Sequence, residues 1–363
     1  MELTKENLLK ALSEVQDPDL KKDLVTLGMI QNIHIDGNKA AFDVVLTTPA
    51  CPMKELIKKD CEKAIEKHLG ELKLTINMTS HVTTQRDNGP VLPGVKNIIA
   101  VSSGKGGVGK STVAANLAVA LAKTGADVGL IDADIYGPSV PTMFNCEFEQ
   151  PTVVQEDGKN KIIPIMQYGV KLLSIGFLTN SEDAVVWRGP MASSALKQFI
   201  GDAKWGDLDY LIIDLPPGTS DIHLTLVQSV PVTGALVVTT PQKVALADAQ
   251  KGLSMFKQKQ INVPVLGVVE NMAWFTPAEL PDNKYYIFGE NGAKGFAEKN
   301  GVELLGQIPI VQAIRESGDS GFPVVMKEGE VSDAFMQLAE SVAQQIAIRN
   351  ASKAETKKVE ITV

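Results

Sequence analysis

The sequence predicts an α/β protein, a parallel sheet covered by helices on both faces, preceded by a small α+β domain. Five short runs rich in Val, Ile and Leu carry the first half of that statement: Asn97–Ser102, Val128–Asp132, Tyr210–Asp214, Ala235–Thr239 and Val265–Val269, separated by long helical stretches. Continuous apolarity, in place of alternation, marks strands buried on both faces, as in a parallel sheet between two helix layers. The second half rests on a change of pattern at 86–95, RDNGPVLPGV, where two prolines and two glycines break the periodicity. A length of 363 residues also exceeds the roughly 100–200 of one domain. The expected divisions are 1–85 for the small domain, 86–96 for a linker, 97–350 for the sheet domain and 351–363 for a polar, frayed tail.

In the small domain, Leu8, Leu9, Leu12 and Val15 recur at helical spacing within Asn7–Val15. Met29–Ile35 and Lys39–Leu46 read as strands around a turn at Asp36-Gly37-Asn38. Met53–Leu69 is helical, with Ile57, Cys61 and Ile65 on one face. Leu72, Leu74, Ile76 and Met78 then alternate with Lys73, Thr75, Asn77 and Thr79, the pattern of a half-buried strand.

Composition narrows the classes of function. With 44% hydrophobic and 21% charged residues the chain is an ordinary globular one. Its 35 basic against 43 acidic residues give a net charge of −8, which argues against a nucleic-acid partner, because coating phosphates takes clustered Lys and Arg. Three cysteines, Cys51, Cys61 and Cys146, provide neither a disulfide framework nor a C-x-x-C metal site. The start, MELTKENLLKALSEV, lacks the basic-then-apolar order of a signal peptide, and no apolar run approaches the roughly 18–20 residues of a spanning helix. These features predict a cytoplasmic protein with no membrane partner.

The first sheet-domain strand runs directly into Gly104-Lys105-Gly106-Gly107-Val108-Gly109-Lys110-Ser111-Thr112, followed by an Ala/Leu-rich helix. This is G-x-x-x-x-G-K-S/T in strand–loop–helix context, a P-loop. Glycines let backbone N–H groups surround a phosphate where no Cβ intrudes, and the helix adds its positive end. Lys110 would meet the β- and γ-phosphates of ATP, and the Ser111 hydroxyl would ligate Mg2+. Asp214 ends an apolar run beside this loop, the place of a Mg2+–water partner. Asp132 and Asp134 end another strand. Each acid is either part of the site or a cap of the next helix or turn.

Lys105, a lysine directly after the first loop glycine, makes GKGGVGKST resemble the deviant Walker A motif of MinD/ParA-type ATPases. Within that group the chain resembles the Mrp/ApbC family of iron–sulfur cluster carriers, through Asp132-Ala133-Asp134-Ile135-Tyr136-Gly137-Pro138-Ser139, Trp187-Arg188-Gly189-Pro190, Asp214-Leu215-Pro216-Pro217-Gly218-Thr219, Glu270-Asn271-Met272 and Phe288-Gly289. Leu305-Gly306-Gln307-Ile308-Pro309 and Ser317-Gly318-Asp319-Ser320-Gly321 match as well, and the N-terminal module, with Asp17-Pro18 and Thr48-Pro49-Ala50-Cys51-Pro52, resembles the small domain of SufT-type iron–sulfur assembly factors. The resemblance implies a homodimeric ATPase that binds a labile iron–sulfur cluster and passes it to apo iron–sulfur proteins, alongside assembly factors. It further implies that Lys105 reaches the partner's nucleotide, that Asp134 orients the attacking water and that Asn271 faces the adenine.

One departure stands out. The family carries C-x-x-C between the E-N-M and F-G motifs, so that a dimer supplies four thiolates, whereas residues 273–287 here hold no cysteine. Cys61 reads as a buried core residue and Cys146 as a loop packing residue. Cys51, before a helix start, is either a cluster, metal or redox thiol or a packing residue. The four histidines, His34, His68, His81 and His223, form no pairwise metal spacing and read as surface or strand-face residues. Two alternatives remain. One is an ATP-dependent scaffold that has lost the cluster. The other is a MinD/ParA-like positioning ATPase, against which stand the net charge and the absence of a terminal amphipathic helix.

Overall fold

The computed structural model describes residues 2–86, 91–134, 137–156, 158–178, 189–277 and 279–359. They divide into two units, 1–83 with 343–353, and 84–342 with 354–363.

The first unit contains α1 (Lys5–Leu12), β1 (Ile30–Asp36), β2 (Lys39–Leu46), α2 (Lys54–Leu69) and β3 (Lys73–Ser80). Thr4 caps α1 by accepting the Asn7 N–H at 3.2 Å. The sheet order is β1-β2-β3, with β1 antiparallel and β3 parallel to β2. Gly37, at φ +56°, turns the hairpin, and α2 is the crossover that a parallel pair requires. Alternate residues Ala40, Phe42, Val44 and Leu46 are buried on Leu8, Leu12, Ile57, Cys61 and Ile65. The end of the last helix also belongs here, held by Gln344 Nε2 on Asp19 Oδ1 (2.5 Å) and Asn350 Nδ2 on the Thr83 carbonyl (2.9 Å).

The second unit contains β4 (Val95–Ser103), α3 (Lys110–Lys123), β5 (Val128–Asp132), α4 (Val140–Met143), β6 (Thr152–Glu156), β7 (Lys159–Ile163), β8 (Ile165–Gln167), β9 (Val170–Ser174), α5 (Gly189–Gly201) and β10 (Leu208–Asp214). It continues with α6 (Asp221–Ser229), β11 (Gly234–Thr239), α7 (Lys243–Lys257), β12 (Val265–Phe275), α8 (Gly292–Asn300), β13 (Glu303–Ile310), α9 (Gln312–Ser320) and α10 (Glu330–Ser352). Eight strands form one sheet in the order β13-β12-β11-β4-β10-β5-β9-β8. Ile98 and Ala100 of β4 pack with Ala192, Leu196 and Phe199 of α5 and Leu226 of α6. Ile99 and Val101, equally buried, point the other way, so both faces are covered.

The sheet is not wholly parallel. β8 pairs antiparallel with β9 through Tyr168 and Gly169, both at positive φ, a two-residue turn that matches strand twist. β6 and β7 form a separate hairpin. α10 runs to Ser352, and within the expected frayed tail the Thr356 N–H donates to the Gln85 carbonyl (2.8 Å) and the Val359 N–H to that of Val227 (3.0 Å), while 360–363 lie outside the described residues. Of the expected linker, 87–90 lie outside the described residues, and β4 already begins at Val95.

Parallel register decides where the site falls. Asp214 at the end of β10 is paired with Val101 in β4 and with Asp132 in β5. The carboxyl ends of three adjacent central strands therefore finish level, beside the loop that follows β4.

Candidate nucleotide site

Gly104–Gly109 links β4 to α3, which starts at Lys110. A Cβ at Gly104 would run into the backbone of Asp248 and Ala249 in α7, so only glycine lets the loop lie there. Gly107 and Gly109, at φ +81° and +77°, take the left-handed turns that aim N–H groups inward. Ser103 Oγ donates to the Lys105 carbonyl (2.9 Å), and the Gly218 N–H donates to the Ser103 carbonyl (2.8 Å), which draws the Pro216-Pro217-Gly218 turn against the loop. The result is a cradle of about 210 Å³ lined by Lys105, Gly107, Lys110, Thr112, Asp134 and Pro217.

Four predicted residues meet beside it. The buried Lys110 ammonium lies 2.7 Å from Asp214 Oδ1 and 3.6 Å from Asp134 Oδ2, and donates to Ser111 Oγ at 3.3 Å. Burial pushes the Asp214 carboxyl above the ordinary carboxylate range, while Lys110 beside it pulls the other way. Its second oxygen, Oδ2, is buried without a hydrogen-bond partner among the described residues. Asp132 is raised too, by burial first and then by the charge of Asp214. Lys105 sits half-buried on the cradle and makes no ion pair with a described residue.

Asn271 is on β12, and its Nδ2 donates to the Val108 carbonyl at 2.9 Å. A Cβ at Gly109 would strike that same nitrogen. Loop and Asn271 are thus fitted to each other. Asn271 also lines a larger, mostly apolar cavity of about 620 Å³ with Gly109, Thr112, Pro138, Pro309 and Ile314.

Sequence reading missed His223. In place of a surface or strand-face position, its ring is 1% exposed on α6, with Nδ1 accepting the Ser220 N–H at 3.2 Å and Nε2 lying 3.5 Å from Ser102 Oγ. Burial depresses its pKa to about 4, so it is neutral at pH 7. The signal was local: Ser220 and His223 stand in the spacing of a capping box, with the ring in the role of the usual Glu or Gln.

The thiols do not assemble. Cys51 is half-buried in the turn between β2 and α2, at the margin of the small unit's core. Cys61 and Cys146 are buried, and burial pushes both thiols up to about 12. No group of three or more His, Cys, Asp or Glu side chains placed to hold a metal occurs among the described residues. In the interval where the family has its cysteines, Phe275 and Tyr285 exchange backbone hydrogen bonds (2.9 and 2.8 Å) and the Lys284 ammonium lies 4.1 Å above the Trp274 ring. Trp187 and Arg188 lie outside the described residues; Gly189 begins α5. Among the described residues no helix is long and apolar enough to cross a membrane.

A glycine loop at the head of a parallel sheet, with a lysine and acids from neighbouring strand ends, defines a P-loop nucleotide-binding protein. Residues 94–346 match the family model described as NUBPL iron-transfer P-loop NTPase, and the chain belongs to that family. Residues 5–76 match a second model, iron–sulfur cluster assembly protein. The iron–sulfur cluster carrier protein of Synechocystis sp. is 48% identical over 347 residues, 95% of this chain and 97% of that protein. The protein of the same description from Deinococcus radiodurans is 46% identical over 350 residues, again 95% and 97%. Among solved structures, a nucleotide-binding protein in complex with ADP from Archaeoglobus fulgidus has 39% identity and a TM-score of 0.56, over 65% of this chain and 91% of that one.

Proposed function

We propose that this protein is a homodimeric, Mg2+-dependent ATPase that carries iron–sulfur clusters to apoproteins. The observation that carries the reading is the convergence of Lys110, Asp134 and Asp214 at the mouth of the glycine loop, in a chain that belongs to an iron-transfer NTPase family. The carriers named above, similar over 95% of the chain, support the cargo.

Backbone N–H groups of the loop and the start of α3 receive the phosphates. Lys110, which neutralises Asp214 here, turns to the β- and γ-oxygens when they arrive. Ser111 and Asp214 fit Mg2+, Asp214 through a water, because the unpartnered Oδ2 is an acceptor waiting for a donor. Held by these residues, Mg2+ would supply positive charge to offset that of the phosphates. Asp134 orients the attacking water, and Lys105 of the second copy brings another ammonium to the transferring phosphoryl group. Asn271 faces the base across the larger cavity. With Nδ2 donating to Val108, the oxygen is the group left over, an acceptor suited to the adenine amino group and repelled by the guanine carbonyl.

The cluster is cargo, and its donors are the open part of the scheme. Cys51 is the half-buried thiol of the three, so each copy offers it and the remaining ligands come from a second copy or from the donor protein. A second reading, a scaffold that keeps the nucleotide cycle without holding a cluster, is favoured by the absence of a metal-binding group among the described residues. Iron and sulfide counts on anaerobically purified and reconstituted protein separate the two. Bound iron and sulfide that fall in Cys51→Ala, with transfer to an apoprotein, support the carrier. Neither iron nor transfer, with ATP turnover retained in the wild type, leaves the scaffold.

A further inference from the structure

Asp132 has no part in the scheme above, yet it is fully buried and holds three donors. Its Oδ1 accepts the Asp134 N–H at 3.2 Å. Its Oδ2 accepts the Val140 N–H at 3.2 Å and the Ser174 hydroxyl at 2.9 Å. The Ser174 oxygen in turn accepts the Gly176 N–H at 2.9 Å. Ser174 is the register partner of Asp132 across β5 and β9, so the hydroxyl comes from a rigid neighbouring strand.

We propose that Asp132 is a positioning residue for ATP hydrolysis, acting through Asp134. This rests on the reading of Asp134 as the residue that orients water. One carboxylate binds the backbone N–H of Asp134, that of Val140 at the start of α4, and the hydroxyl of Ser174 on β9. The backbone of Asp134 is thereby fixed, and its carboxylate is held on the Lys110 side of the cradle, at 3.6 Å from the ammonium. An aspartate suits this post because all three partners are donors and both oxygens are used as acceptors. Asparagine of the same shape has one acceptor oxygen and turns an N–H group toward a backbone N–H. A buried acid that served only to cap α4 would have no reason to bind the Asp134 N–H and the Ser174 hydroxyl as well.

The test uses the full-length chain with single-turnover and steady-state ATP hydrolysis, and with ADP affinity measured separately. Asp132→Asn is expected to lower kcat by about 30- to 100-fold, since displacing a catalytic group by an ångström costs on that order, with KM for ATP and ADP affinity changed less than about twofold. Ser174→Ala, a milder change that removes one of the three donors, should lower kcat by about three- to tenfold with the same split. In an Asp134→Asn background, adding Asp132→Asn should cost less than about twofold more, because the residue acts through the one already removed. Full multiplication of the two effects overturns the positioning role, and so does a loss of ADP affinity that parallels the loss of kcat. Wild-type turnover in Asp134→Asn alone would overturn the assignment of Asp134 and this proposal with it; a crippled Asp134→Asn beside an independent Asp132→Asn overturns only the latter.

Discussion

The two units both place a candidate functional residue just beyond a strand, but only one of them surrounds it. In the larger unit, parallel register levels the ends of β4, β10 and β5, so the glycine loop, Asp214 and Asp132 meet as a consequence of strand pairing. In the smaller unit β1 is antiparallel to β2, and Cys51 follows β2 at the margin of a three-stranded sheet, with no metal-holding group assembled among the described residues. Lys110 and the strand-end acids Asp134 and Asp214 meet within one chain. The three thiols do not: Cys51 is half-buried, and Cys61 and Cys146 are buried.

That contrast breaks most sharply at Lys110. Lys110→Gln keeps a donor beside Asp214 but removes the cation, and ATP turnover should fall by about a thousandfold or more, as for other removals of a group aimed at developing charge. Turnover like that of the wild type, in hydrolysis assays with Mg2+, would refute the site. Next in size is base choice. If Asn271 offers its oxygen to the base, kcat/KM for ATP should exceed that for GTP by about 100-fold or more, because a buried acceptor facing an acceptor is left unpaired. Equal values would show that the Val108 contact does not set the polarity of the amide.

How far the sequence already displayed this depends on whether the cause was local. The runs around Ile98, Leu130, Ile212, Val237 and Val268 are continuous in apolarity and fall where strands are found, because a strand buried on both faces leaves no room for polar residues. The loop was legible for the same reason, since Gly104 answers to a close backbone approach and Gly107 and Gly109 to left-handed turns. β13, which contains Gly306 and Pro309, and the three-residue β8 carry too little periodicity to be read. The family resemblance implies a base-facing role for Asn271, but its bond to Val108, 163 residues earlier, is a product of tertiary packing that no window of sequence contains. Asp132 was seen as a strand-end acid, yet its grip on Ser174 depends on β9, a strand that was not foreseen.

The smallest effect tests the packed side of the comparison without touching nucleotide. His223 has an ordinary pKa of 6.5 when unfolded and about 4 when buried on α6, burial being the main cause. Between those values the unfolded chain binds the proton and the folded one does not, so this group makes stability fall as pH falls, with its full contribution present above about 6.5. Linkage puts the loss between pH 7.5 and 5.5 at about 1 kcal/mol, a shift of a few degrees in Tm. Asp132, raised to about 7, acts in the opposite sense over the same range, so the wild-type slope alone does not isolate the histidine. The difference between wild type and His223→Gln does, because glutamine keeps a polar group at the third position of the cap but does not titrate. The wild type should lose about 1 kcal/mol more than the variant over that interval, read from paired denaturant melts. Parallel slopes for the two proteins would mean that the ring protonates as readily in the folded state as in the unfolded one, and that Ser102 and Ser220 do not enclose a neutral imidazole.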